Sequence, residues 1–512
     1  MFAKLMRLHR FLAITTALPL LLFIISGLLH PIMVHFFTPE RKMLDIINSF
    51  QNGHDSNEMS LINVLNIHNI PVFSSAKLVK LKNQSYYQIR IANDKYDDKK
   101  SNIDNDFPDM PSAKFIHKYF STTTGLELKP GDCGSTELCY VKTLAKIIGQ
   151  SDIIDSKLIT QFTPAYGEIN RILPVYRVRF SSGNIIYVDP QGDRIALSSN
   201  QWRERIATWF DFIHRQSFVG DKHNWLRLVF SFIFTFNIFL MGITGVALYL
   251  IYKSKIKKKN KHLTNRNINI NKSNYFKGLF FYSKTQIIKY HRSIGLVFSL
   301  SLIGFATSGL HTLISKFDKS HHFSISPSNE IDSYKLTFDP LKIMNNNKAD
   351  NFNLVNWNNE LWLQLWFYGN KNVLSLKYWH PLLGFKTDKD YAIYLAQKML
   401  HLSEVPSDVI KKSHFDSSYS TIFKRLPVQQ LHFANNTVVA IETHTQYIAQ
   451  FSQTKDIWQG LHFSLLHKYH FLNGLGRQYR DLIISFVMFG FLLTTLMGSW
   501  LYFSRKKQFK KS

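Results

Sequence analysis

The 512-residue chain predicts a four-helix transmembrane bundle, all-α within the membrane, that carries two small α+β modules outside it and is built as an internal tandem duplication. Three observations point there. Four apolar segments are each long enough to cross a bilayer, which takes about 20 residues of helix. The formal charge of +27 is concentrated in short stretches flanking those segments. And LHRFLAITTALPLLLFIISGLLH at 8–30 returns as YHRSIGLVFSLSLIGFATSGLH at 290–311, each copy with a histidine near both ends.

The apolar runs are 11–29, 228–252, 294–310 and 482–503, the third being the shortest. They divide the chain into an N-terminal segment with the first span (1–30), a first outer module (31–225), a second span (226–252), a basic loop (253–285), a third span (286–312), a second outer module (313–480), a fourth span (481–503) and a basic tail (504–512). Residues 1–10, 253–292 and 504–512 hold 20 Lys and Arg and no Asp or Glu. Basic residues gathered in short loops beside spans mark the cytoplasmic side. Both termini and the 253–285 loop are therefore expected in the cytoplasm, with lipid and not nucleic acid as the partner of this charge. MFAKLMR before the first apolar run looks like the start of a signal peptide, but SGLLHPIM offers no small-residue cleavage site, so the segment reads as a retained anchor. Cys133 and Cys139 fall in the first outer module, where an oxidising compartment permits a disulfide. Their spacing is not the C-x-x-C of a redox pair, which suits a structural role.

The repeat extends beyond the apolar segments. LPVYRVRFSSGNIIYVDPQGDRIA (173–196) aligns without gaps to LPVQQLHFANNTVVAIETHTQYIA (426–449), so that one constant offset carries Leu173 onto Leu426 and Ala196 onto Ala449. Each stretch alternates in the two-residue period of a strand around a turn, so each predicts a β-hairpin. At that offset His214 falls on His467, and a three-residue insertion then brings LMGITG (240–245) onto LMGSWL (496–501). Segment 93–111, polar and without periodicity, reads as loop.

Histidine inside or beside a membrane span is costly unless partnered, and a neutral imidazole is suited to axial ligation of haem iron. His9 and His30 are 21 residues apart, about 31 Å on a helix, which puts one at each face of the membrane. That spacing suits two redox centres. His9 and His291 recur in His-Arg pairs, and His214 and His467 in matched His-Arg and His-Lys pairs. Arg10, Arg292, Arg215 and Lys468 are candidates for pairing with haem propionates. Gly27 and Gly309 each lie five helical turns after His9 and His291, respectively, on the same helix face. A missing side chain there admits a porphyrin or a neighbouring helix. His30 and His311 are candidates for an outer haem, although the spacing turns His311 roughly 160° from the His291 face. His35, His462 and His470 are further outer candidates, and His321 and His322 are candidate contacts to substrate iron.

HRFLAITTALPLLLFIISGLL, VYRVRFSSGNIIYVDPQGDRIA, and IHRQSF leading into LMGITGVALYL resemble the PepSY-associated transmembrane family of bacterial iron-regulated membrane proteins. The resemblance covers all four spans and both hairpins, which would be PepSY-like units. It implies a multi-pass protein of the bacterial inner membrane with haem b as cofactor, two per chain, and an oxidoreductase activity reducing ferric iron or a ferric siderophore in the periplasm. Residue by residue, the family's His-Arg opening falls on His9 and His291, and its histidine before each even-numbered span falls on His214 and His467. The second unit departs from the pattern, Asp189–Gly192 becoming Glu442–Thr445. No glycine-rich phosphate loop is present, so electrons are expected from the quinol pool or a separate cytoplasmic reductase, and an iron transporter is the expected recipient of the product. Two other readings stand beside this one: a membrane-anchored PepSY protein that binds or regulates a protease, and a membrane accessory protein that binds metal through its outer histidines.

Overall fold

A computed structural model describes residues 2–37, 58–81, 84–92, 115–149, 151–220, 224–264, 284–317, 330–369, 374–401, 403–416 and 418–509. The chain divides into two compact units, one of Met1–Phe37, Arg205–Ser320 and Lys455–Ser512, the other of Thr38–Glu204 and His321–Thr454.

The first unit is helical. Helices Phe2–Phe36, Trp225–Thr264, Lys284–Phe317 and Arg477–Phe509 each contain a stretch long and apolar enough to cross a membrane. The first and third each pack against the second and fourth, closing a four-membered ring. Leu20, Ile24, Ile238, Ala306, Val487, Met488 and Phe491 fill its core. The outward face is just as apolar, with Leu18, Val297, Leu300 and Phe486 all exposed. A helix that is hydrophobic all round needs an apolar solvent, which agrees with a multi-pass membrane protein. Helix Gln201–His214 precedes the second long helix, and Thr454–His462, continued by a π-helical turn at Phe463–His467, precedes the fourth.

The second unit is α+β. Its largest sheet has seven strands in the order Gly384–Thr387, Leu374–His380, Glu360–Tyr368, Asn351–Trp357, Ser75–Leu81, Gln84–Ala92, Phe115–Ser121, with every neighbouring pair antiparallel. The outer segments 31–225 and 313–480, expected as two separate modules, thus share one sheet. The reason lies in their edges. Strands Ser75–Leu81 and Asn351–Trp357 would each expose a row of unpaired backbone groups. They meet instead at Lys77 and Asn353, and the Asn351 side chain completes the seam by accepting from the Leu78 amide (3.1 Å) and donating to the Leu78 carbonyl (3.0 Å).

Each copy also builds a four-stranded antiparallel sheet: Ile153–Ile159, Val175–Phe180, Asn184–Asp189, Arg194–Asn200 in the first, and Asp408–Lys412, Val428–His432, Val438–Glu442, Tyr447–Ser452 in the second. The 181–183 turn uses Gly183 at φ +84°, and its counterpart uses Asn436 at φ +60°, as the left-handed tolerance of Gly and Asn permits. Tyr166, buried, donates its hydroxyl to the Ile172 carbonyl, and Tyr419 does the same to Arg425, both at 2.9 Å. The two bonds are related by the offset that aligns the hairpins. Segment 93–111 lies outside the described residues, as does most of the 253–285 loop.

A disulfide joins Cys133 to Cys139, which lies in the first turn of helix Thr136–Ile148. Closing so short a loop removes little unfolded-state entropy, worth roughly 2 kcal/mol. Cys133→Ser with Cys139→Ser should therefore lower the thermal midpoint of this unit by only a few degrees, as read by differential scanning calorimetry of the solubilised chain.

Candidate functional site

Within the helical unit the candidate histidines form two groups. In the first, His9 Nδ1 lies 3.0 Å from Thr244 Oγ1 on the second long helix, and His291 Nδ1 lies 3.1 Å from the Thr494 carbonyl on the fourth. A carbonyl only accepts, so the His291 proton is on Nδ1. The Thr244 hydroxyl already donates to the Met241 carbonyl at 3.1 Å, so it accepts from His9 and fixes the same tautomer there. Both rings keep an unprotonated Nε2. Metal-bound histidines are held in this way, with the second nitrogen donating to a carbonyl or hydroxyl.

These contacts also set the register of the duplication. The Met241 carbonyl faces His9 as the Thr494 carbonyl faces His291, and the hairpin offset carries Met241 directly onto Thr494. A Cβ on Gly245 would stand 3.3 Å from His9 Cε1, and one on Gly498 would stand 3.2 Å from His291 Cε1. These two glycines are related by the same offset. The ungapped register therefore runs through the second and fourth helices, which corrects the three-residue insertion expected from LMGITG and LMGSWL. Gly242, which that insertion would match to Gly498, faces Ile303 instead. Gly27 and Gly309 serve helix packing: an added Cβ would meet Met488 at 3.1 Å and Thr235 at 3.2 Å, respectively.

The second group is His214 with His467. Their ring centroids are 6.3 Å apart and nearly perpendicular, at 84°. Each ring stacks on the phenylalanine one turn earlier, Phe210 at 4.7 Å and Phe463 at 4.9 Å, and meets the edge of another, Phe23 at 5.4 Å and Phe305 at 5.0 Å. Ser26 Oγ donates to the Phe23 carbonyl (2.9 Å) and so accepts from His214 Nδ1 (2.8 Å), leaving His214 Nε2 bare. The matching atoms in the other half, His467 Nδ1 and Ser308 Oγ, are each buried without a hydrogen-bond partner.

The 6.3 Å between the His214 and His467 ring centroids can be set against the separation of two imidazoles on one metal ion. Two imidazole nitrogens each about 2 Å from one metal ion, with each ring centre roughly 1 Å behind its nitrogen, put the centroids about 6 Å apart. Among the described residues no group of three or more His, Cys, Asp or Glu is placed to hold a metal ion. An axially ligated porphyrin needs only two such side chains.

His30 and His311 do not share a site. The His30 ring centroid is 6.0 Å from that of Phe210, and His30 interacts electrostatically with both His214 and His467. His311 Nδ1 is instead 2.8 Å from His462 Nδ1. The shift that carries His9 onto His291 also carries Phe23 onto Phe305, and it carries His30 onto Thr312, not His311. One residue of difference turns a side chain by about 100°. His35 bonds Asp481 Oδ2 at 2.9 Å and His470 bonds Ser464 Oγ at 3.0 Å. His321 and His322 lie outside the described residues. Of the candidate propionate partners, Arg10 Nη2 is 2.9 Å from Met6 Sδ, Arg292 stacks on Tyr252 at 4.0 Å, Arg215 pairs with Asp211 at 3.2 Å, and the Lys468 ammonium lies 5.8 Å from the Phe463 ring centroid.

Sequence reading missed Ser26, Thr244 and the Thr494 carbonyl. The hairpin offset, followed without a gap, would have pointed to the Met241 and Thr494 pair. Compared with known proteins, the chain matches no family model and no curated sequence.

Proposed function

We propose that the protein is a multi-pass haem b protein of the bacterial inner membrane, related to the PepSY-associated transmembrane family, that carries electrons across the bilayer to reduce ferric iron or ferric siderophores outside. The observation that carries this reading is the repetition, in both halves of the bundle, of a histidine whose Nδ1 is committed to a hydrogen bond and whose Nε2 is free. In this reading the four-stranded sheets are the PepSY-like units, and both termini are cytoplasmic because the basic residues flank the spans on that side.

His9 and His291 would hold one haem b, and His214 with His467 a second, with His30 beside it. Haem iron, when bound, supplies reversible one-electron chemistry at a potential tuned by its axial ligands and their hydrogen bonds. Thr244 and the Thr494 carbonyl orient the first pair of rings, and Ser26 orients His214. Phe23, Phe210, Phe305 and Phe463 exclude water from the second pair. The lower charge of ferrous iron weakens the grip of oxygen chelators, so reduction releases the metal for a transporter. Quinol or a cytoplasmic reductase would supply the electrons.

Protein purified from haem-replete cells should give two haem b per chain in a pyridine haemochrome assay and a dithionite-reduced α band. Colourless folded protein would overturn the reading. Gly498→Leu should drive its side chain into the His291 imidazole and lower the haem content to one per chain, and Gly245→Leu should do the same through His9. Both are read by the same assay, and two haems retained in each variant would exclude these histidines as ligands.

A further inference from the structure

The seam of the seven-stranded sheet pairs Lys77 with Asn353, and a polar cleft opens beside it, lined by residues of both copies, among them Lys77, Arg90, His117, Asn353, Trp366 and His444. Duplicated positions carry different chemistry here. The shift that carries Lys77 onto Asn353 carries Arg90 onto Trp366, and the hairpin offset carries Gln191 onto His444.

Among the described residues one cation lining the cleft has no anion against it. Lys77 donates to Asp193 Oδ2 at 2.6 Å and to the Gln191 carbonyl at 2.9 Å. His117 Nδ1 is 2.7 Å from Glu137. Burial pushes His444 down to about 4, so it is neutral at pH 7. Arg90 is only 7% exposed and has no anionic partner among the described residues; its guanidinium carbon sits 4.1 Å over the Phe115 ring. Burial lowers its pKa only to about 10, which leaves the charge in place. A buried guanidinium without a counter-ion is costly. Two further buried atoms on the cleft wall, His444 Nδ1 and Asn353 Oδ1, also have no hydrogen-bond partner.

We propose that this cleft is a binding site for the carboxylate of a small organic acid, held by the Arg90 guanidinium with Asn353 and His444 beside it. With its face covered by Phe115, Arg90 keeps its in-plane N–H groups for an oxyanion, the fork geometry that binds carboxylates. One uncompensated positive charge matches a monoanion, which favours carboxylate over dianionic phosphate. The orphaned Asn353 acceptor favours an acid that also carries a hydroxyl. This inference does not depend on haem.

The test uses the full chain in detergent, titrated with glycolate, acetate or inorganic phosphate at constant ionic strength in chloride, while tryptophan fluorescence, to which Trp366 contributes, and the thermal midpoint are followed. Glycolate should give a saturable fluorescence change and a higher midpoint, acetate a weaker response, and phosphate the weakest. Arg90→Gln should weaken glycolate binding at least tenfold and, in chloride alone, leave the midpoint unchanged or raised, because an uncompensated charge is gone. Absence of any saturable response, an equal response in Arg90→Gln, or tighter binding of phosphate would each overturn the assignment. So would a lower midpoint of Arg90→Gln in chloride, which would mark Arg90 as a structural cation.

Discussion

His214→Ala should leave one haem per chain where the parent protein carries two, and should remove one component of the reduced α band. The expectation rests on placement. The ring is wedged between Phe210 and Phe23, its Nδ1 is held by Ser26 at 2.8 Å, and its centroid lies 6.3 Å from that of His467. His30 also interacts with the pair, from the first helix, but belongs to no matched position. Phe210→Leu, which keeps the ligand and changes only the stacked ring, should retain both haems. Ser26→Ala separates ligation from orientation. It removes the acceptor that fixes the tautomer, and such outer contacts are worth roughly 10–100-fold in metal affinity. That variant should bind haem more weakly and show a displaced midpoint potential in a redox titration. Two haems in His214→Ala would refute the assignment of this site.

The largest stability effect in the α+β unit is expected at Glu442. Its fully buried carboxylate accepts from Arg194 Nη1 at 2.6 Å and Nη2 at 2.8 Å, from Arg425 Nη1 at 2.7 Å, and from the Thr445 hydroxyl. Arg194 Nε is also 3.1 Å from Asp189 Oδ2. One residue of the second copy thereby ties both four-stranded sheets together, and the hairpin offset places it where the first copy has Asp189. Asp189 caps its own turn, accepting from the Gln191 and Gly192 amides at 3.1 Å each, and the longer Glu442 reaches the arginines instead. Glu442→Gln leaves the buried Arg425 guanidinium without its charge partner and Arg194 with Asp189 alone, and removing one member of a buried ion pair costs about 3–5 kcal/mol. The thermal transition of this unit should fall sharply or disappear, as followed by calorimetry.

The same carboxylate gives a pH signature. Burial alone would raise its pKa, but Arg194, His444 and Arg425 hold it well below the usual carboxylate range. A depressed pKa contributes stability that is present above the unfolded value, about 4.3, and is lost as pH falls below it toward the folded value. The unit should therefore lose stability below about pH 4.5, by up to about 1.4 kcal/mol per pH unit from this group. Glu442→Gln should lack that component of the slope.

Much of the architecture could be read from the chain itself. Four apolar runs, the basic stretches beside them, the hairpins at 173–196 and 426–449, and the doubling of His9 and His214 are all local or periodic features, and hydrophobic length and two-residue alternation act within a few residues of each other. What tertiary structure alone decided is which of these features meet. The two outer segments join in one sheet because each left an unpaired edge, and an edge finds its partner only in space. His311 pairs with His462 while His30 stays near His214, because a one-residue change in helical spacing swings a side chain by about 100°. The register of the second and fourth helices followed the packing of Gly245 on His9 and Gly498 on His291, since only there does a missing Cβ make room for the imidazole. The Arg90 guanidinium stood out in the cleft only once Lys77 was seen to pair with Asp193 and His117 to bond Glu137.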